Sequence, residues 1–151
     1  MNFIFGAPNF RISHYDYDEP LGPFNPQATA FRYSYSYHLE PDFSKLSIRI
    51  AVTMYVDSPD KEFSHIITDA EFSLEEEAAS SRATYKAFTG IDIYVSKPPI
   101  SQIAEAVQVA LDLTSKAMLL RQSDTVTKGF RLPVFSKERL IQDIEKRGYS
   151  V

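Results

Sequence analysis

The chain of 151 residues contains no cysteine. Disulfides, thiolate metal ligands and a cysteine nucleophile are thereby excluded, and a reducing compartment fits that composition. Glycine is scarce, five in all, and none falls in a G-x-G-x-x-G or Walker-type arrangement, so no phosphate cradle is encoded. No G-x-S-x-G elbow sets a serine beside a base. Basic clusters are missing too: residues 137–139 and 145–147 mix both signs, and the net charge is −4, which argues against a nucleic-acid partner. No apolar run approaches the ~18 residues of a membrane helix, and residues 1–10 lack the positive region and apolar run of a signal peptide. The expectation is a soluble, cytoplasmic protein with no membrane partner.

Metal and acid–base chemistry find little support. His14, His38 and His65 are the only histidines, and no HExxH spacing links them. A His38–His65 pair with Asp69 would offer three ligands only if strands aligned them, so surface histidines are expected. The adjacent Glu75, Glu76 and Glu77 point in different directions on either a helix or a strand. They read as a solvated loop or a helix start, where acidic groups are favoured. No cofactor, no metal and no enzymatic activity are expected.

What is present is ordinary for a globular domain: 44% hydrophobic and 24% charged residues. A chain this long buries roughly two thirds of its unfolded surface without staples. One domain spanning 1–151 is expected, with a Pro-rich arm over 1–28, an antiparallel sheet over 29–97 and two helices over 100–148. Pro8, Pro20, Pro23 and Pro26 punctuate the arm, and proline fixes φ and removes a donor. Residues 9–17 can form a short strand with Phe10, Ile12 and His14 on one side. The remainder of the arm reads as an extended or edge segment.

From residue 31 the period is two. Phe31, Tyr33, Tyr35 and Tyr37 alternate with Arg32, Ser34, Ser36 and His38, so a strand carries four rings on one side and a polar row on the other. Residues 46–56 follow, with Leu46, Ile48, Ile50, Val52, Met54 and Val56 on one face. The piece EPDFSK suits a hairpin between the two runs. Residues 63–74 give a third run with Ile66, Thr68, Ala70, Phe72 and Leu74 inward, and residues 85–95 a fourth. Short connections favour an antiparallel meander. Fully buried, the four rings would remove roughly 600–1,000 Å² from water. Either both rows lie under a long helix, or part of the aromatic row, or Phe3, Phe5, Phe10 and Phe24, lines a groove for apolar segments. Tyrosine hydroxyls want water or a partner at their tips, which suits a groove.

After Pro99 the period becomes helical, with Ser101 as the expected N-cap. Ile103, Ala106, Val107, Ala110, Leu111, Leu113, Thr114, Ala117, Met118 and Leu120 share one side. Glu105, Gln108, Asp112, Ser115 and Lys116 hold the other. The apolar sector spans ~200°, twice what one contact requires. Its small centre, at Ala106, Ala110, Thr114 and Ala117, allows close approach, so the helix is expected to meet both the sheet and another helix or subunit. Ser136 signals a second, shorter helix with Leu140, Ile141 and Ile144 inward and Gly148 as terminator. The fold class expected is α+β, a four-stranded antiparallel sheet followed by one long and one short helix in two layers.

The closing section is the part with a familiar order. A long helix ends in Met118-Leu119-Leu120-Arg121, a segment with Thr125, Thr127 and Lys128-Gly129 follows, and Arg131-Leu132-Pro133-Val134 leads to a final helix from Phe135-Ser136. Together with the preceding alternating strands, this resembles the SecB-like export chaperones over roughly residues 28–148. The resemblance implies a homodimer or homotetramer assembled through the long helix. It implies a holdase that binds non-native polypeptides, or one dedicated client, in an apolar groove, with no cofactor and no chemistry. Peptide contacts would fall at Phe10, Phe24, Phe31, Tyr33, Tyr35 and Tyr37, and the subunit interface at Ile103, Ala106, Val107, Ala110, Thr114 and Ala117. The polar sheet face here carries Arg32, His38 and Arg49, where relatives serving the export ATPase are acidic. Two other readings stay open: an accessory subunit of a larger assembly, whose wide helix face meets a different protein, and a small-ligand-binding α+β domain or enzyme with an enclosed pocket.

Overall fold

The computed structural model describes residues 3–20, 29–56, 61–76, 86–90, 97–125 and 132–149. Five strands form the sheet: β1 (Phe3–Phe5), β2 (Asn9–Tyr17), β3 (Thr29–Leu39), β4 (Lys45–Val56) and β5 (Glu62–Glu76). All pairings are antiparallel, and the order runs β3, β4, β5, with β2 and then β1 laid along the far edge of β5. Two helices follow, α1 (Ile100–Arg121) and α2 (Lys137–Lys146). The architecture is α+β with an antiparallel sheet.

The sheet has five strands rather than the expected four, because the arm supplies two of them. Phe3↔Glu76 and Phe5↔Leu74 place β1, and Phe10↔Ala70 and Ile12↔Thr68 place β2. Gly6 and Pro8 break the edge between them. A register shift between Ile12 and His14 turns the strand over: Tyr15 and Tyr17 join Phe10 and Ile12 against the core, while His14 is exposed. His14 was expected beside Ile12, and the bulge, which period counting cannot see, reverses it. Glu75 and Glu76 continue β5 instead of opening a loop, since β1 offers them a partner; Glu77 lies outside the described residues. The fourth expected strand, 85–95, is replaced at 86–89 by a helical turn closed by the Gly90 N–H on the Lys86 carbonyl at 2.8 Å. Its other positions lie outside the described residues.

The hairpin between β3 and β4 forms where EPDFSK stands. Asp42 Oδ1 accepts from the Ser44 N–H at 3.0 Å and from its hydroxyl at 2.6 Å, a local turn of the kind aspartate makes. Phe43 takes φ 58°, and its ring meets Phe3 edge-on at 6.5 Å between centroids. A non-glycine residue in the left-handed region costs free energy, which that ring contact offsets.

The core lies between the sheet and α1. Leu46, Ile48, Ile50, Val52 and Met54 from β4 and Ile66, Ala70 and Phe72 from β5 meet Ile103, Ala104, Ala106, Val107, Ala110, Leu111 and Met118 from the helix, all buried. One polar pair sits among them: Thr68 Oγ1 lies 2.7 Å from Thr114 Oγ1, and Thr114 donates to the Ala110 carbonyl at 2.7 Å. Helix α1 starts at Ile100 with Pro99 as N-cap, not Ser101; the fixed φ of Pro99, −58°, suits the entry, and its carbonyl accepts from Gln102. Leu120, at the limit of the expected apolar sector, is 78% exposed. Helix α2 has the expected start and stop. The Ser136 hydroxyl accepts from the Arg139 N–H, and Gly148 at φ 92° ends the helix with its N–H on Glu145 and that of Tyr149 on Ile144, a Schellman closure.

Candidate functional site

β3 closes one edge of the sheet, and among the described residues no strand pairs with its outer side. The hairpin bond from the Glu40 N–H to the Lys45 carbonyl, 3.0 Å, continues the Leu39↔Leu46 register. Even-numbered residues of β3 therefore bond to β4, and Phe31, Tyr33, Tyr35 and Tyr37 turn their N–H and C=O groups outward. Their side chains share the face of Ile48, Ile50, Val52 and Met54. Helix α1, however, packs on β4 and β5, so the aromatic row is not beneath it. The row meets α2 and the segment before it instead.

Between β3 and that segment lies a cleft of ≈ 640 Å³. Phe31 and Tyr33 form one wall with Tyr35 at the floor, Val134, Phe135 and Leu140 form the other, and Arg139, Asp143 and Arg147 of α2 and its cap bring the charge. The Tyr33 and Phe135 rings touch at 4.4 Å between centroids, and such a pair is worth about 0.5–1.5 kcal/mol beyond its buried area. Tyr33 remains 37% exposed and Val134 99% exposed. The segment before α2 has Pro133 between Leu132, which is buried, and Val134, which is not. A proline there cannot join a helix interior, so the chain reaches α2 through a non-helical segment.

The floor is a knot of four interactions. The Tyr35 hydroxyl donates to Asp143 Oδ2. Arg147 Nε lies 3.1 Å from the same carboxylate oxygen, its NH1 donates to the Tyr35 carbonyl at 2.7 Å, and its guanidinium carbon stands 4.0 Å above the Tyr35 ring. Burial, then the bond to Asp143, pushes the Tyr35 hydroxyl far above its ordinary pKa, although Arg147 opposes the shift. Burial also raises Tyr37, which stacks edge-on against Tyr149 at 6.1 Å outside the cleft. Burial pushes Tyr149 up to about 12, and its hydroxyl donates to the Pro98 carbonyl at 2.5 Å.

Of the residues singled out from the sequence for peptide contact, Phe31, Tyr33 and Tyr35 are brought together in this cleft. Tyr35 is 6% exposed, so it is floor rather than free wall. Tyr37 lies one step beyond. Phe10 is half-buried on β2, across the sheet, and Phe24 lies outside the described residues. Phe3 and Phe5 line a separate recess of ≈ 350 Å³ with Pro8, Phe72, Ala106 and Val109. Ile103, Ala106, Val107, Ala110 and Thr114, singled out for contact between chains, are buried inside this chain, and Ala117 is half-buried. Sequence reasoning missed Val134, Phe135, Arg139, Asp143 and Arg147. The i,i+4 spacing of Asp143 and Arg147 was a signal of a pair, but nothing local tied that pair to Tyr35, 108 residues away from Asp143.

The polar sheet face gathers different groups. Asp69 accepts from Arg49 at 2.8 and 3.2 Å and from Ser13, with Arg11 at 3.6 Å. The bond to Arg49, joined by that to Ser13, holds its carboxyl below the ordinary range. His65 bonds Thr53 at 2.7 Å and lies beside His14, ring centroids 5.6 Å apart, whereas His38 stands near Glu40. Among the described residues no group of His, Asp and Glu is placed to hold a metal ion, and no helix is long and apolar enough to cross a membrane.

No family model matches the chain, and no curated protein matches it. Among solved structures it is similar to a SecB-like chaperone from Mycobacterium tuberculosis in complex with a peptide from an antitoxin. The identity is 13%, the match covers 87% of this chain and 91% of that one, and the TM-score is 0.48. It is also similar to a protein of unknown function from Streptococcus agalactiae, at 12% identity over 88% of this chain and 98% of that one, with a TM-score of 0.31.

Proposed function

We propose that the chain is a SecB-like polypeptide-binding protein that holds apolar segments of a non-native or dedicated client protein in the cleft between β3 and α2, without chemistry. The observation that carries this reading is the cleft itself, where Tyr33, Phe135 and a fully exposed Val134 stand beside an outward-facing strand edge. Exposed apolar side chains beside outward-facing backbone groups are what an extended segment needs: main-chain bonds for affinity and recesses for alternate side chains. The polar groups of the floor are bonded to one another, which suits holding rather than reacting. Assembly into a homodimer or homotetramer belongs to the same reading. With the small residues of α1 facing their own sheet, that assembly would use the outer ridge of the helix, where Val109 and Leu120 are exposed.

The test is size-exclusion chromatography with light scattering, alone and with a reduced, unfolded model protein. Co-elution with the unfolded chain but not its native form supports the reading. A monomer that ignores the unfolded chain sinks it. Val134→Ser should leave the melting curve in place, because the side chain is almost fully exposed. It should weaken capture about tenfold, the equivalent of roughly 1.5 kcal/mol of apolar burial in the complex.

A further inference from the structure

We propose that Arg139 makes the cleft selective for segments that carry a carboxylate beside their apolar side chains. The proposal rests on the polypeptide-binding reading above and adds the chemistry of the segment. Three ionised groups line the cleft: Arg139, Arg147 and Asp143. Arg147 and Asp143 neutralise each other at 3.1 Å, and the Tyr35 hydroxyl and carbonyl take up what bonding capacity they have left on that side. Arg139 makes no ion pair among the described residues and is exposed. Glu138 accepts from the Ser136 hydroxyl at 2.9 Å, Glu105 pairs with Lys137, and Asp143, four residues on, pairs with Arg147. The charged groups that line the cleft therefore sum to one positive charge, on a chain whose net charge is −4.

The charge of the lining, which the segment meets at contact, sets the sign of the preference. An acidic segment is repelled by the molecule as a whole and accepted at this wall, where the guanidinium presents a planar fork that a carboxylate matches with two bonds. A basic segment would meet Arg139 as a like charge at the place where its apolar side chains must enter. The aromatic wall is indifferent to charge and supplies affinity, so charge here sets choice rather than strength.

Three fluorescein-labelled 12-residue peptides test this, with one pattern of Phe and Leu and either Asp, Asn or Lys at the interleaved positions. Anisotropy is read with the full chain and with Arg139→Gln, at low salt and at 1 M salt. The Asp peptide should bind roughly two- to fivefold more tightly than the Asn peptide, and the Lys peptide more weakly than both, the range expected of an exposed ion pair. The spread should close at 1 M salt, where charges are screened within ~3 Å. It should also close in Arg139→Gln, read as the ratio of the three peptide affinities within that variant. Equal binding of Asp and Asn peptides, tighter binding of the Lys peptide, or an Asp preference that survives in Arg139→Gln would overturn the proposal and leave the polypeptide-binding reading standing. Failure of all three peptides to bind would instead remove that reading, and the selectivity with it.

Discussion

At the scale of single residues, side chains that look equivalent in the alternating row of β3 meet different fates. Tyr35 is buried and tied to Asp143 and Arg147, Tyr33 is open to water beside Phe135, and Tyr37 leans on Tyr149. The raised pKa values have a consequence in alkali. Tyr35 and Tyr149 hold their protons more firmly folded than unfolded. Their contribution is complete below the ordinary tyrosine pKa of about 10 and is lost as pH rises through the folded values. Spectrophotometric titration should show tyrosines that ionise only with loss of structure, and Tyr35→Phe should reduce the number that do so. If every tyrosine ionised near pH 10 in the folded protein, the buried floor would be wrong. Asp69 behaves in the opposite sense. Its pKa is lowered, so the stability it brings is present above the ordinary carboxylate pKa and fades as pH falls through the folded one. Asp69→Asn should therefore flatten the acid limb of a stability–pH profile, and an unchanged limb would count against the Arg49 and Ser13 contacts.

At the scale of elements, the buried pair Thr68–Thr114 links α1 to the middle of the sheet. Because Thr114 donates to Ala110, Thr68 is the donor in the bond between them. Thr114→Val strands the Thr68 hydroxyl in the core and should cost about 1–3 kcal/mol, whereas Thr68→Val leaves Thr114 bonded and should cost less. The double variant should recover part of the loss, and denaturant melts of all four proteins measure the coupling. Strictly additive losses would deny the bond. Helix α1 also carries a sharper expectation. Ala110 is fully buried, so a lysine there should unfold the chain, read as lost circular dichroism, and not simply separate subunits. A folded Ala110→Lys monomer would return that face to an interface between chains.

At the scale of the molecule, the two helices divide the sheet. α1 covers β4 and β5 and makes the core, and α2 stands off the edge strand and makes the cleft. Among the described residues β3 is thus an open edge, guarded at Tyr35 by Arg147, and exposed edges are places where chains add. Arg147→Ala should free the Tyr35 carbonyl and loosen α2 from the edge, raising hydrogen exchange at Leu140 and Ile144 above that of Ile103 and Leu111. Equal protection of both helices would show that α2 is held by other contacts.

A strand expected at 85–95 was not found at 86–89. The succession of β3, β4 and β5 followed by the two helices, the core face of β4 and β5, the pairing of the aromatic row with that face, and the ends of α2 were legible in the sequence. Each depends on local spacing: period two, period 3.6, a serine cap and a terminal glycine. The edge strands β1 and β2 were legible only in part, because residues 3–17 pair with β5 across some 60 residues, and a single bulge reverses what alternation says of His14. The cleft was least legible. Which of four aromatic side chains is floor, wall or outside depends on where Pro133 turns the chain back and where Asp143 and Arg147 land. Such contacts between distant residues are set by the tertiary packing of α2, and no periodicity records them.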